Sequence, residues 1–333
     1  MKDLTVFLTH DPVALEKYYG INALKALGEI AKFRVNESYE IWNPVGLAAA
    51  AKGCNVIVSD RRAEGCSDLF ELMPDLLAFC RCAVDIRNVD VKAASKYGVL
   101  VTQASAGFMN SVAEWIICVM IDLSRGISNS VAQYRSGSFP VPVMGRELCH
   151  STIGIVGYGQ IGKKLANLAL SFGMQVLVND PFVEVEGDLV QQVSIDKLLM
   201  RCDFVVCLAN ATAQTENLMG KKEFSLMRQS AFFINPSRGD LVDEEALLFA
   251  LDTGHIAGCA LDVGRGHDQM PGSLLVQHPR VIATPHIGGL TPQAIEHQSM
   301  ETVRQIKDVL NGIEPVGAVN WVKASRLQNF FRN

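Results

Sequence analysis

The chain has 333 residues, a formal net charge of −5, 49% hydrophobic residues and 20% charged residues. That length suits about two domains, and the composition is that of a soluble globular protein. No basic stripe invites nucleic acid, and no uninterrupted apolar run approaches the ~20 residues of a membrane span. No nucleic-acid or membrane partner is therefore expected.

The N-terminus, Met1 to Leu4, lacks the apolar core and cleavage site of a secretion signal. Nine cysteines are scattered, and Cys118, Cys207 and Cys259 fall inside apolar runs. They read as buried and reduced, as in a cytoplasmic protein. Cys80 and Cys82 form a CxC, but no second pair completes a zinc site, so no metal is expected.

In chain order, Val6 to Thr9 reads as a strand, Ala14 to Leu27 as a helix and Ala31 to Val35 as a short strand. Pro44 to Lys52 has helical character. Val56 to Val58 is a strand that runs into the polar turn Ser59-Asp60-Arg61-Arg62. Leu76 to Val84 contains another strand, Val91 to Lys96 is a helix and Val99 to Thr102 a strand. Such alternation predicts a parallel sheet covered by helices. Asp11-Pro12 and Asn311-Gly312 read as turns.

Ser111 to Arg125 is a nearly unbroken apolar helix, capped by Asn110 or Ser111 and expected to be buried on all sides. The proline-studded arm Phe139-Pro140-Val141-Pro142-Val143 cannot be a regular central strand. Together these segments suggest a subunit interface.

The most specific motif follows. The strand Ile153 to Val156 feeds Gly157, Gly159 and Gly162. A helix runs to Ser171, and the strand Gln175 to Val178 ends at Asp180. This order of strand, glycine turn, helix, strand and acid is that of a dinucleotide site. Gly157 allows the tight turn, Gly159 lets a pyrophosphate approach the helix N-terminus, and Gly162 lets helix and strand pack closely. Asp180 would accept ribose hydroxyls and repel a 2′-phosphate, which favours NAD over NADP. Phe204 to Leu208, Ala231 to Asn235, Ile256 to Leu261 and Val281 to Ala283 read as further strands. Glu244 to Asp252 and Thr291 to Leu310 read as helices.

Three strand ends carry polar residues where a doubly wound sheet binds ligand. Arg238, in Asn235-Pro236-Ser237-Arg238-Gly239, can hold a carboxylate through two hydrogen bonds and polarise a neighbouring carbonyl. Asp262, in Leu261-Asp262-Val263, could orient a nicotinamide amide. His286, in Thr284-Pro285-His286-Ile287-Gly288-Gly289, can give a proton to a carbonyl oxygen and take it back. His10, His150, His255, His278 and His297 read as surface or structural residues.

These motifs, with Asn88-Val89-Asp90, Ser111-Val112-Ala113-Glu114 and Leu241-Val242-Asp243-Glu244, resemble the D-isomer-specific 2-hydroxyacid dehydrogenase family over nearly the whole chain. The resemblance implies an α/β protein of two Rossmann-like, doubly wound parallel-sheet domains. An NAD-binding domain, residues 103–290, would be inserted into a flavodoxin-like substrate domain made of residues 1–102 and 291–333. It implies NAD as cofactor, held by Gly157, Gly159, Gln160, Ile161, Gly162, Asp180, Pro236 and Asp262. The partner would be a small 2-hydroxy or 2-oxo acid, met by Arg61, Ala83, Val84 and Arg238, with Arg238 and His286 as catalytic residues. The expected assembly is a homodimer through residues 111–145.

The chain departs from the family pattern at three places. The glutamate that usually pairs with the histidine is replaced by His267, in Gly264-Arg265-Gly266-His267-Asp268, which leaves Asp268 as the loop's only carboxylate and a candidate catalytic replacement. Ala83 and Val84 stand in the usually glycine-rich turn that binds the substrate carboxylate, and Asn210 stands where proline is common. Two alternatives follow. One is a dinucleotide-binding regulator of the corepressor type, and the other is a member with altered chemistry, as in the formate-oxidising branch.

Overall fold

Short strands, most of them apolar, are interspersed with helices, and every ladder between strands of the described residues is parallel. A computed structural model describes residues 4–185 and 187–332. The chain divides into two units, Met1–Phe108 with Thr291–Asn333, and Met109–Leu290. The first crossing falls at Phe108–Met109 because Gln103, Ala104 and Ser105 are hydrogen-bonded to Gly317, Ala83 and Glu301 of the first unit.

The first unit contains β1 (Thr5–Leu8), β2 (Lys32–Val35), β3 (Val56–Ser59), β4 (Ala78–Arg81) and β5 (Leu100–Gln103), in the order β2-β1-β3-β4-β5. That is the flavodoxin-like order. Residues alternate between its two faces. Val6, Leu8, Val56 and Val58 pack with Ile306, Val309 and Leu327 from the C-terminal segment. Phe7, Ile57, Phe79 and Val101 pack with Leu47, Leu69 and Phe70 on the other face. Burying each such side chain contributes about 1.5–3 kcal/mol. The C-terminal segment is thereby part of this core.

The second unit contains β6 (Thr152–Val156), β7 (Gln175–Asn179), β8 (Val190–Gln192), β9 (Phe204–Cys207), β10 (Phe232–Asn235), β11 (Gly258–Leu261) and β12 (Val281–Ala283). Their order is β12-β11-β10-β9-β6-β7-β8. This is the doubly wound order of dinucleotide-binding sheets with one further strand, and the order reverses between β6 and β9. The chain is thus two parallel-sheet α/β units.

Several local expectations are corrected. Ala14 to Leu27 is not one helix. Gly20, at φ +85°, separates Pro12–Tyr18 from Ile21–Ile30. Asp11-Pro12 is a helix start, since the Asp11 side chain accepts the Ala14 N–H at 2.7 Å and Pro12 opens the helix. The long helix begins at Met109, so Asn110 and Ser111 lie inside it. It is also one-sided: Val112, Ala113, Ile116, Ile117 and Met120 are buried, while Glu114, Cys118 and Arg125 form an exposed stripe. Cys118 is therefore exposed, whereas burial pushes the Cys207 thiol up to about 12.

Candidate active site

Arg238, Asp262 and His286 follow the ends of three neighbouring strands. β10 pairs with β11 up to Asn235↔Leu261, and β11 pairs with β12 up to Leu261↔Ala283. Parallel neighbours in register deliver their next residues to the same edge of the sheet, about 5 Å apart per strand. The glycine turn after β6 and Asp180 after β7 open on that same carboxyl edge.

The glycine turn is shaped for a ligand that approaches backbone. Gly157 has φ +100°, and a Cβ there would lie 2.6 Å from the Leu208 carbonyl carbon. A Cβ on Gly162 would meet the Gly157 oxygen at 2.5 Å, so the turn closes directly on its helix. Gly159 differs, because a Cβ there would meet nothing within 4 Å. Gly159 precedes the helix Gln160–Ser171, whose N-terminus has no side-chain cap. Open space over uncapped N–H groups fits a diphosphate. Gln160 is exposed and Ile161 half-buried beside that space. The Asp180 carboxylate accepts the Tyr158 N–H at 2.7 Å and the Phe182 N–H at 2.9 Å. One acid thus braces the glycine turn and keeps lone pairs for further donors.

The arginine loop is moulded by Asn235, which the sequence reading did not single out. Its side-chain oxygen accepts the Ser237 N–H at 3.0 Å, and its amide donates to the Arg238 carbonyl at 2.8 Å. Asparagine closing a turn on its own backbone is the local signal that marks it. Pro236 is buried and Arg238 half-buried. Ser237 Oγ donates to the Ala209 carbonyl at 2.9 Å, tying the β10 loop to the β9 loop. The Asn210 carbonyl in that loop accepts the Thr215 hydroxyl.

His286 stands in a turn at φ +55°, a conformation uncommon for a side-chain-bearing residue. Asp262 holds the turn. Its carboxylate, 1% exposed, accepts Thr284 Oγ1 at 2.6 Å, the Ile287 N–H at 2.8 Å and the Gly288 N–H at 2.7 Å. The His286 N–H donates to the Asp262 carbonyl at 3.0 Å. Charge-assisted bonds of this kind are stronger than neutral ones. The side chain of His286 is half-buried.

The loop that departs from the family pattern packs beside the arginine loop. A Cβ on Gly239 would clash with the Gly264 carbonyl carbon, so the two backbones touch. His267 is exposed, and the side chain of Asp268 lies outside the described residues.

In the first unit, Arg62 is bound to Asp11 at 2.7 Å and Asp60 at 2.8 Å, while Arg61 is exposed. Ala83 and Val84 are half-buried, and neither has positive φ. Two buried groups lie at the strand ends: Arg81, which the sequence reading did not single out, and His10, which it took as a surface or structural residue. Arg81, 6% exposed, donates to the Ser59 carbonyl at 3.1 Å, and His10 is 2% exposed.

Comparison with known proteins identifies the family. Residues 117–288 match the model of the D-isomer-specific 2-hydroxyacid dehydrogenase NAD-binding domain. D-3-phosphoglycerate dehydrogenase of Bacillus subtilis is 34% identical over 76% of this chain and 49% of its own length. The chain spans about half the length of that relative and of the Synechocystis enzyme of the same name. The TT0316 protein of Thermus thermophilus superposes with a TM-score of 0.83 at 26% identity, covering 95% of this chain and 100% of that one. D-lactate dehydrogenase of Escherichia coli shares the fold, with a TM-score of 0.82 at 22% identity over 95% of this chain and 100% of that one. The chain belongs to the D-isomer-specific 2-hydroxyacid dehydrogenase family, and its second unit carries that family's NAD-binding domain.

Proposed function

We propose that the protein is an NAD-dependent oxidoreductase that interconverts a D-2-hydroxy acid and its 2-oxo acid. The carrying observation is the placement of Arg238 and His286 after β10 and β12, on the carboxyl edge that also holds the glycine turn. Gly157, Gly159, Gln160, Ile161, Gly162, Asp180 and Pro236 would hold NAD. Bound there, NAD would supply or accept the hydride at C2 of the acid. Arg238 binds the substrate carboxylate with parallel N–H donors and polarises the adjacent carbonyl. His286 delivers a proton to the carbonyl oxygen in reduction and removes it from the hydroxyl in oxidation. Asp262 has three of its roughly four acceptor positions filled by the His286 turn, which leaves one for a nicotinamide amide.

Arg61, Ala83 and Val84 are proposed as further substrate contacts, and Asp268 as the stand-in for the family's glutamate. Asp268→Asn lowers kcat if that acid serves His286 and leaves it unchanged if it does not. A homodimer through residues 111–145 is supported by the arm's exposed apolar side chains, Phe139, Val141, Val143 and Met144. Light scattering of the purified protein checks the mass. The unbridged, buried thiols of Cys54, Cys80, Cys82, Cys202, Cys207 and Cys259 suit a reducing compartment, and the cytoplasm is the proposed location.

The deciding experiment is a panel of 2-oxo acids with NADH and with NADPH. The reading expects NADH consumption with at least one acid, and losses of about 10²–10⁴-fold in His286→Ala. No turnover of either cofactor across the panel would overturn it and favour a regulatory role.

A further inference from the structure

We infer that Arg265 is a positioning residue for Arg238, built into the loop that has lost the family's glutamate; the inference rests on the function proposed above. After Arg238, the chain runs beside residues 217–219. The Asn217 N–H donates to the Asp240 carbonyl at 2.8 Å, the Met219 N–H to the Leu241 carbonyl at 2.9 Å, and the Asp243 N–H to the Met219 carbonyl at 3.0 Å. Arg265 closes over the start of this short ladder. Its guanidinium donates to Asn217 Oδ1 at 2.7 Å, the Asp240 carbonyl at 3.1 Å and the Val242 carbonyl at 3.3 Å. Its own N–H donates to Glu244 Oε1 at 3.0 Å. Glu216 at 3.6 Å and Asp240 at 4.0 Å balance its charge.

The consequence reaches Arg238 through backbone. Asn235 fixes the Arg238 carbonyl from the strand side. On the other side Gly239 lies flat against Gly264, the residue before Arg265, with no room for a Cβ on Gly239. Residues 240 and 242 are then held by the Arg265 fork. The planar guanidinium, with five donors in a fixed fork, joins an amide oxygen and two carbonyls at once. The loop thus supplies a brace to the arginine that meets the substrate carboxylate.

The test compares Arg265→Ala, Arg265→Lys and Asn217→Gly with the unaltered protein. Asn217→Gly removes the acceptor without strain, because Asn217 has φ +54°. Three quantities are read: NADH affinity by fluorescence, KM and kcat for the best 2-oxo acid, and inhibition by oxamate, an unreactive mimic of a 2-oxo acid. Arg265→Ala should keep its NADH affinity, while KM and the oxamate constant rise on the order of ten- to a hundred-fold, the range expected for a displaced binding group. Arg265→Lys should recover part of the loss. If Arg265→Ala loses NADH binding as well, the milder two variants decide, and an unchanged KM in both overturns the inference. An unchanged KM in Arg265→Ala also overturns it. An unaltered protein that reduces no 2-oxo acid would sink the underlying function instead.

Discussion

The Asp262 carboxylate accepts the Thr284 hydroxyl at 2.6 Å and so grips the turn that presents His286. With the Ile287 and Gly288 N–H groups it has three donors and almost no exposure to water. Asp262→Asn leaves one acceptor atom and turns an NH₂ toward an N–H. Leaving a buried donor unsatisfied costs about 1–3 kcal/mol, so the midpoint of thermal unfolding should fall. The looser His286 turn should lower kcat/KM on the order of 10²-fold. Thr284→Val should do less of both. An Asp262→Asn protein with full activity and unchanged melting would contradict this account.

The glycine turn separates two effects that are usually confounded. Gly157→Ala forces a side chain to φ +100° and against the Leu208 backbone, which cannot rotate away. It should lower the melting temperature and abolish NADH binding. Gly159→Ala places its methyl in open space, so melting should be unchanged while NADH binds more weakly. Calorimetry and fluorescence titration of the pair test the point. Similar melting for both variants would mean that the Gly157 conformation is not required.

Asp180 is expected to set cofactor choice. Its carboxylate braces Tyr158 within the glycine turn, so Asp180→Ala should raise KM for NADH through both a lost ribose acceptor and a looser turn. It should also relax discrimination against NADPH, whose 2′-phosphate no longer meets a like charge. Steady-state ratios for the two cofactors measure this. Equal turnover with both in the unaltered protein would remove its basis.

Arg61 and Arg62 should behave oppositely although they are neighbours. Arg62→Ala breaks contacts to Asp11 and Asp60 and should lower thermal stability. Arg61→Ala, at an exposed position, should leave stability alone and raise KM only for acids with a second anionic group. A panel of mono- and dicarboxylic 2-oxo acids distinguishes them, and an Arg61 variant with unchanged KM throughout would return that residue to the solvated surface.

This pair also marks the limit of what the sequence tells. Arg238, Asp262 and His286 are legible because each follows a short apolar strand, and parallel neighbours bring such ends together. Arg61 and Arg62 sit in one polar turn, and only the fold brings Asp11 to the second of them. Arg265 is silent for the same reason, since Asn217, Asp240 and Val242 reach it from other loops. The helices Ile195–Arg201 and Lys221–Leu226 are too short for a clear apolar period, and Gly20 interrupts a helix that periodicity alone would continue.

His10 should make the stability of the first unit depend on pH. It follows β1, is 2% exposed, and its Nδ1 has no hydrogen-bond partner among the described residues. Burial pushes its imidazole down to about 4; Asp60 opposes the shift, and Arg81 and Arg62 add to it. The unfolded chain binds the proton near the ordinary 6.5. Between those values the unfolded state therefore holds more protons than the folded one, so stability rises with pH across this window. The contribution is fully present above about 6.5 and is lost as pH falls toward 4. His10→Gln removes the titration and should flatten that part of the profile. Urea unfolding at pH 7 and pH 5 measures it, with Trp42 and Trp321 as reporters of the first unit. Carboxylates elsewhere affect both proteins alike and cancel in the difference. Parallel losses of stability in the unaltered protein and in His10→Gln would show that His10 is not the group responsible.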